Sequence, residues 1–317
     1  MNGLSATIGI CVTEDDRTGA TSYRNGSVEI MRLVAAAGII WFHAHAALHM
    51  VSYAALSLFV VFLIVLPLQR PLPASLASYA RDRADRLLRP WLIWSCIFTG
   101  LKVAQAKIEG RPLASEFDWT MLLTGSQAHL WFLPFGFVCS VVGSAVARKT
   151  NRGSRMAFAT SVLLAIASGP AISMALDQGL SAPLAEWTYG LGAVFFGMAI
   201  HFADRNQRRL QIVTLATFAG LAASASVVGP QDGNGALLVG VNLAILAMTT
   251  HTPSRPWTRW AAAVSLPVYL CHPVFLSFLQ RAESFRDSPN SVAIVAIGLS
   301  LSAGAAILSS PWGRKLL

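Results

Sequence analysis

The sequence predicts an all-α, polytopic membrane helix bundle of about ten transmembrane helices with both termini cytoplasmic. Three observations carry this reading. The 317 residues are 54% hydrophobic and only 12% charged, with mean hydropathy +0.55, whereas soluble domains carry about 25% charged residues. Apolar runs long enough to span a bilayer recur from one end of the chain to the other. The basic residues sort between alternate loops, as the positive-inside rule requires.

The expected spans, in order, are 30–49, 52–68, 88–107, 129–147, 156–175, 187–203, 209–228, 234–250, 258–279 and 291–311. The first division needs an argument. From Leu33 to Leu68 the chain has no charge, and its first proline is Pro67. As one straight helix this stretch is about 54 Å long, far beyond a hydrocarbon core of about 30 Å, so a hairpin is expected near His49 to Ser52. With the N-terminus inside and the spans alternating, 19 of the 24 basic residues fall in inner segments and five in outer ones: Lys102, Lys107, Arg111, Arg281 and Arg286. Merging the first two spans inverts everything downstream and destroys this sorting. Trp91, Trp94, Trp187, Trp257, Trp260 and Trp312 fall at span ends, as an interfacial belt requires. Residues 1–27 read as a cytoplasmic N-terminal tail and 28–317 as one integral membrane domain. The stretch from Met1 to Asn25 contains Glu14, Asp15 and Asp16 and lacks a basic start followed by an apolar core, so it does not read as a signal peptide.

The net charge of +9 is accounted for by sorting across the membrane and predicts contact with lipid, with no nucleic-acid partner. Cys11, Cys96, Cys139 and Cys271 fall in different segments without CxxC spacing, so no disulfide and no zinc site is expected. His45 and His49 have i,i+4 spacing but no acidic neighbour, and no metal is expected. GxSxG, Walker-type and GxGxxG motifs do not occur, which leaves hydrolase, ATPase and dinucleotide readings without a motif.

Four groups of residues are candidates for chemistry. Glu29, Arg32 and His43 share one face of the first span, Arg32 and His43 about 16 Å apart along its axis. Ionisable groups inside a membrane are costly and face a protein interior or a wet cavity. His43 suits a general base, because imidazole titrates near neutrality; a structural polar network is the alternative. Val34 to Gly38, mostly alanine, allow close helix approach. In ARDRADRLLRPW, Arg83, Arg86 and Arg89 recur every three residues, with Pro90 expected to open the next span. Guanidinium groups there suit a phosphate-rich cytosolic ligand such as a nucleotide or coenzyme A, or they serve topology and anionic lipid. His129 and Trp131 open the fourth span. Tyr269 and His272 lie in the ninth, where Pro273 frees a backbone carbonyl. Both pairs are candidates to line a substrate channel, with simple packing as the alternative.

Together these pieces resemble the membrane-bound acyltransferase-3 family. Its opening motif, an acidic residue three before an arginine and then a histidine after ten more residues, matches Glu29, Arg32 and His43. Its RxxR element before the third span matches Arg86 and Arg89. Its hlWfL and YLxHP elements match His129 to Leu133 and Tyr269 to Pro273. The stretch from Ser57 to Ile64 lacks the family's Ser-Gly pair, and Pro90 follows Arg89 directly. The resemblance implies a membrane-only O-acyltransferase of the bacterial cytoplasmic membrane. The implied co-substrate is acetyl-CoA or another acyl-CoA, without a metal. The implied acceptor is a sugar hydroxyl of a surface polysaccharide, lipopolysaccharide or lipid-linked glycan. Arg83, Arg86 and Arg89 are then expected to hold the phosphates of coenzyme A, His43 to act as base, Arg32 to orient the donor and Glu29 to hold Arg32. A proton-coupled secondary transporter or glycan exporter using His43 and Glu29 as a relay is the rival; the internal symmetry common in transporters is not apparent.

Overall fold

The computed structural model describes residues 24–180, 183–227, 229, 232–285 and 287–317. Residues 1–23 of the expected tail, with Cys11, lie outside the described residues, as does Arg286. Within the described residues the chain is all helical, apart from an isolated bridge between Asn25 and Pro253. In order the helices are α1 (Gly26–His43), α2 (His49–Ser52), α3 (Ala54–Leu68), α4 (Leu76–Ile108), α5 (Met121–Thr124), α6 (Phe132–Lys149), α7 (Arg155–Asp177), α8 (Leu184–Ala203), α9 (Gln207–Val227), α10 (Asp232–Thr249), α11 (Pro256–Leu279) and α12 (Pro289–Ser309).

Among the described residues, seven helices are long and apolar enough to cross a membrane: α1, α4, α6 with the turn before it, α7, α9, α11 and α12. Two further apolar helices, α3 and α10, are shorter, and α8 carries Glu186 in its first turn. Each of the ten expected apolar runs thus corresponds to a helix, and seven of them meet the length and hydropathy of a span.

Asn25 sets the start of α1. Its side chain accepts from the Ser27 N–H at 3.0 Å and donates to the carbonyls of Ala247 and Thr250 at 3.0 and 2.9 Å. One residue therefore caps α1 and ties it to the end of α10. The helix stops at His43, six residues before the expected boundary. His45 and Leu48 adopt φ of 53° and 58°, a left-handed conformation incompatible with a continuing α-helix, and α2 then leads into α3. The expected hairpin is present, with its turn beginning earlier.

The centre of the bundle is α3. Its fifteen residues span about 22 Å, and it packs on α1, α6, α8 and α10. Each of these four presents a glycine to it: Gly38 against Ala55, Gly136 against Leu63, Gly197 against Ile64 and Gly240 against Ala54 and Ser57. Small residues let membrane helices approach closely where lipid supplies no hydrophobic drive. Nearly all of α3 is buried, which fits a helix that is apolar on every side.

Pro90 does not open a helix; it lies inside α4, which runs unbroken for 33 residues. Ser75 caps its start by accepting from the Ser78 N–H at 3.0 Å. The basic segment before Pro90 is therefore already helical, and the proline removes only the bond to the Arg86 carbonyl. Tyr79, Arg83, Leu87, Pro90, Trp94 and Phe98 form the buried face of α4. Trp94 is thus a core residue rather than part of the belt, whereas Trp257, Trp260 and Trp312 are exposed. Cys96, Cys139 and Cys271 are free thiols.

Candidate active site

The His43 end of α1 meets two segments far away in sequence. The turn Ala128–Trp131 brings His129, and α11 brings Tyr269 and His272. The His43 and His272 rings stack with centroids 5.5 Å apart and planes 19° apart. His129 stands edge-on to His272 at 5.2 Å and to Tyr269 at 5.7 Å. The Tyr269 hydroxyl donates to the His129 carbonyl, tying α11 to the turn. His129 and His272 are buried, whereas His43 is exposed to the cavity it lines.

Pro273 explains the orientation of His272. Proline has no N–H, so the carbonyl four residues back, that of Tyr269, loses its helical donor. His272 Nδ1 fills the vacancy, donating to Tyr269 O at 2.5 Å. A carbonyl only accepts, so Nδ1 carries the proton and Nε2 of the neutral ring is left with its lone pair. His129 Nε2 is buried with no hydrogen-bond partner among the described residues.

These side chains border a cavity of about 190 Å³ lined by His43, His129, Trp131 and Tyr269, with Tyr53 and Glu186 on the α3 and α8 sides. Ile39, Phe42, Ser52 and Leu56 complete much of its wall. A cavity of this size takes several waters or a small polar group. The three imidazoles pack ring against ring, and among the described residues no group of three His, Cys, Asp or Glu side chains is placed to hold a metal ion.

The other end of α1 is basic. Arg32 is half-buried and lies within electrostatic reach of Arg24, Arg70 and Arg83 as well as Glu29. Glu29 is bonded elsewhere: its carboxylate accepts from Ser254 Oγ at 2.7 Å and Thr258 Oγ1 at 2.6 Å and pairs with Arg24 at 3.2 Å. Arg83 is 8% exposed, its Nε without a hydrogen-bond partner. Arg86 is exposed and paired with Asp82 at 3.0 Å, and Arg89 is exposed as well.

The model of the acyltransferase-3 family, described as an acyltransferase domain, matches residues 25–310. The chain belongs to the acyltransferase-3 family. Comparison with curated proteins and with solved structures gave no match.

In this acyltransferase the motif residues form two clusters rather than one. His43, His129, Trp131 and Tyr269 line the cavity, and His272 packs behind them against the His43 and His129 rings. Arg32 and Arg83 converge at the opposite end of α1, about 16 Å away by helical rise. Arg86 and Arg89 are exposed on α4, whereas Arg83 is buried. Glu29 staples α1 to the start of α11 through Ser254 and Thr258, and its link to Arg32 is electrostatic only. Three residues escaped the sequence reading: Arg70 beside Arg32, and Tyr53 and Glu186 on the cavity wall. Glu186 left a usable signal, an acid at the very start of an apolar run.

Proposed function

We propose that this membrane acyltransferase moves an acetyl or other short acyl group from cytosolic acyl-CoA to a sugar hydroxyl of a surface polysaccharide, lipopolysaccharide or lipid-linked glycan. The observation that carries the proposal is the separation of a basic cluster, with Arg83 buried and Arg32 half-buried, from a histidine-lined cavity along one helix. Ten crossings with both termini cytoplasmic, in a bacterial cytoplasmic membrane, put the basic cluster on the donor side and the cavity near the outer face.

Arg32, Arg70 and Arg83 would hold the phosphates of coenzyme A, with Arg86 and Arg89 at the rim. Guanidinium groups pair well with phosphate oxygens. The acyl thioester would reach the cavity between α1 and the buried face of α4, where Trp94 and Phe98 lead to His129 through ring contacts of 5.8 and 5.3 Å. His43 then takes the proton of the acceptor hydroxyl as its oxygen attacks the thioester carbonyl. The carbon–sulfur bond breaks, and the leaving thiolate recovers a proton from the His43 imidazolium. Base catalysis of this kind is typically worth about 10²–10⁴-fold. His272, with its tautomer fixed, would position His43.

The test is transfer of labelled acetyl from acetyl-CoA into envelope glycan by membranes carrying either the wild-type protein or His43→Ala at equal expression. Label incorporated by the wild type alone is the expected result. Equal labelling by both would remove His43 from the mechanism. Failure of the wild type across several acyl-CoA donors, with the natural glycan present, would overturn the proposed reaction.

A further inference from the structure

The cavity holds a carboxylate for which the proposed chemistry has no use. Glu186, in the first turn of α8, lines the cavity together with His43. Its Oε2 is buried without a hydrogen-bond partner, and it makes no ion pair among the described residues. Among the described residues, no lysine or arginine lines the cavity. A buried carboxylate oxygen left without a partner is costly, and such an atom calls for an explanation.

The neighbouring rings supply one. Phe42 and Tyr53 approach to 4.6 Å between centroids, and Tyr53 and Tyr189 to the same distance. They form a continuous aromatic run from α1 through the start of α3 to α8, and Glu186 acts electrostatically on Tyr53. The cavity therefore presents the His43 and His129 imidazoles, an aromatic wall and a carboxylate. An ionised carboxylate has two oxygens and about four lone-pair sites and donates nothing, so its complement is a group of closely spaced donors. Neighbouring hydroxyls on a saturated ring provide them, and the apolar edge of such a ring lies against aromatic faces. Mostly apolar pockets with a few placed polar groups fix ligand orientation in this way.

We infer that Glu186, with the Tyr53 ring beside it, is the acceptor subsite: its carboxylate binds neighbouring hydroxyls of a polyhydroxylated ring and so presents a further hydroxyl to His43. This rests on the proposed acyl transfer and adds the residue that selects the acceptor.

Two measurements test it. The purified protein, in a detergent without a sugar headgroup, is titrated with methyl glucoside, galactoside, mannoside and rhamnoside, followed by the fluorescence of Trp131 and Trp187. The wild type is expected to show saturable binding to at least one glycoside. Glu186→Gln should bind it at least roughly tenfold more weakly and Glu186→Asp close to normally, with thermal midpoints unchanged. In acyl transfer from acetyl-CoA to that glycoside, Glu186→Gln should raise the acceptor KM by about tenfold while leaving the acetyl-CoA KM unchanged, the mark of lost acceptor binding. The inference is overturned if the wild type binds none of the four, if the Gln variant binds as the wild type does, or if the donor KM rises instead. Glu186-dependent binding without any transfer from acetyl-CoA would leave the subsite standing and remove the proposed reaction.

Discussion

Pro273 acts on its neighbour by withholding a donor. The Tyr269 carbonyl it releases is the atom to which His272 Nδ1 donates. Pro273→Ala restores a backbone N–H that competes for this carbonyl, so the imidazole loses its fixed tautomer while the helix is strengthened. The expected result is acyl transfer reduced roughly tenfold or more with helix content retained; an unchanged initial rate would remove the positioning role of His272. The arginines of α4 give a sharper contrast. Arg83 is buried at the basic end, whereas Arg86 is exposed and paired with Asp82. Arg83→Ala should raise the acyl-CoA KM about tenfold, the loss of one charge-assisted hydrogen bond, and Arg86→Ala no more than about twofold. Saturation kinetics with varied acyl-CoA decide between them. The sequence contained Arg32, His43, His129 and His272 in plain view, because ionisable groups in apolar runs are conspicuous. It did not separate Arg83 from Arg86, because a spacing of three along a helix only becomes a direction once the packed face of that helix is known.

At the scale of the elements, the hairpin after α1 was legible from the length of the uncharged apolar stretch from Leu33 to Leu68 together with the sorting of basic residues between loops. Its turn was misplaced by a few residues because the left-handed residues His45 and Leu48 are of types that favour no particular break. The continuity of α4 through Pro90 was missed for the opposite reason: proline is a strong boundary signal, but here its cost is limited to one lost bond at Arg86. Of the four glycines around α3, Gly240 makes the closest approach. A Cβ at Gly240 would meet the Ala54 carbonyl, the Leu58 amide and the Ser57 hydroxyl, two of them backbone groups that cannot yield. Gly240→Val is therefore expected to destabilise the bundle by about 1–3 kcal/mol, the usual cost of overpacking. A lowered thermal midpoint in detergent is the readout, and Gly298→Val, where a Cβ meets nothing, should leave the midpoint in place.

For the whole molecule, the two clusters stand at opposite ends of one helix, and crossing topology decides which compartment each faces. Single cysteines at Asp118 and Arg152, introduced into a cysteine-free background, test this with an impermeant thiol reagent. Asp118→Cys should label in intact cells and Arg152→Cys only after lysis. The reverse pattern would invert the charge-based topology and with it the assignment of donor and acceptor sides. The expected sidedness comes from the loops alone, because lysine and arginine are counted there without reference to packing. The cavity was not, because its walls come from five separate stretches that only the assembled bundle brings together.

The brevity of α3 bears on how the protein is made. A fifteen-residue helix falls about 8 Å short of the hydrocarbon thickness, and alone among lipids its terminal amides and carbonyls would be stranded without partners. It has no comfortable resting state as a solitary inserted segment. Its partners are instead the helices around it: packed among α1, α6, α8 and α10, α3 takes its place in the membrane as a piece of the bundle's interior rather than as a free-standing span.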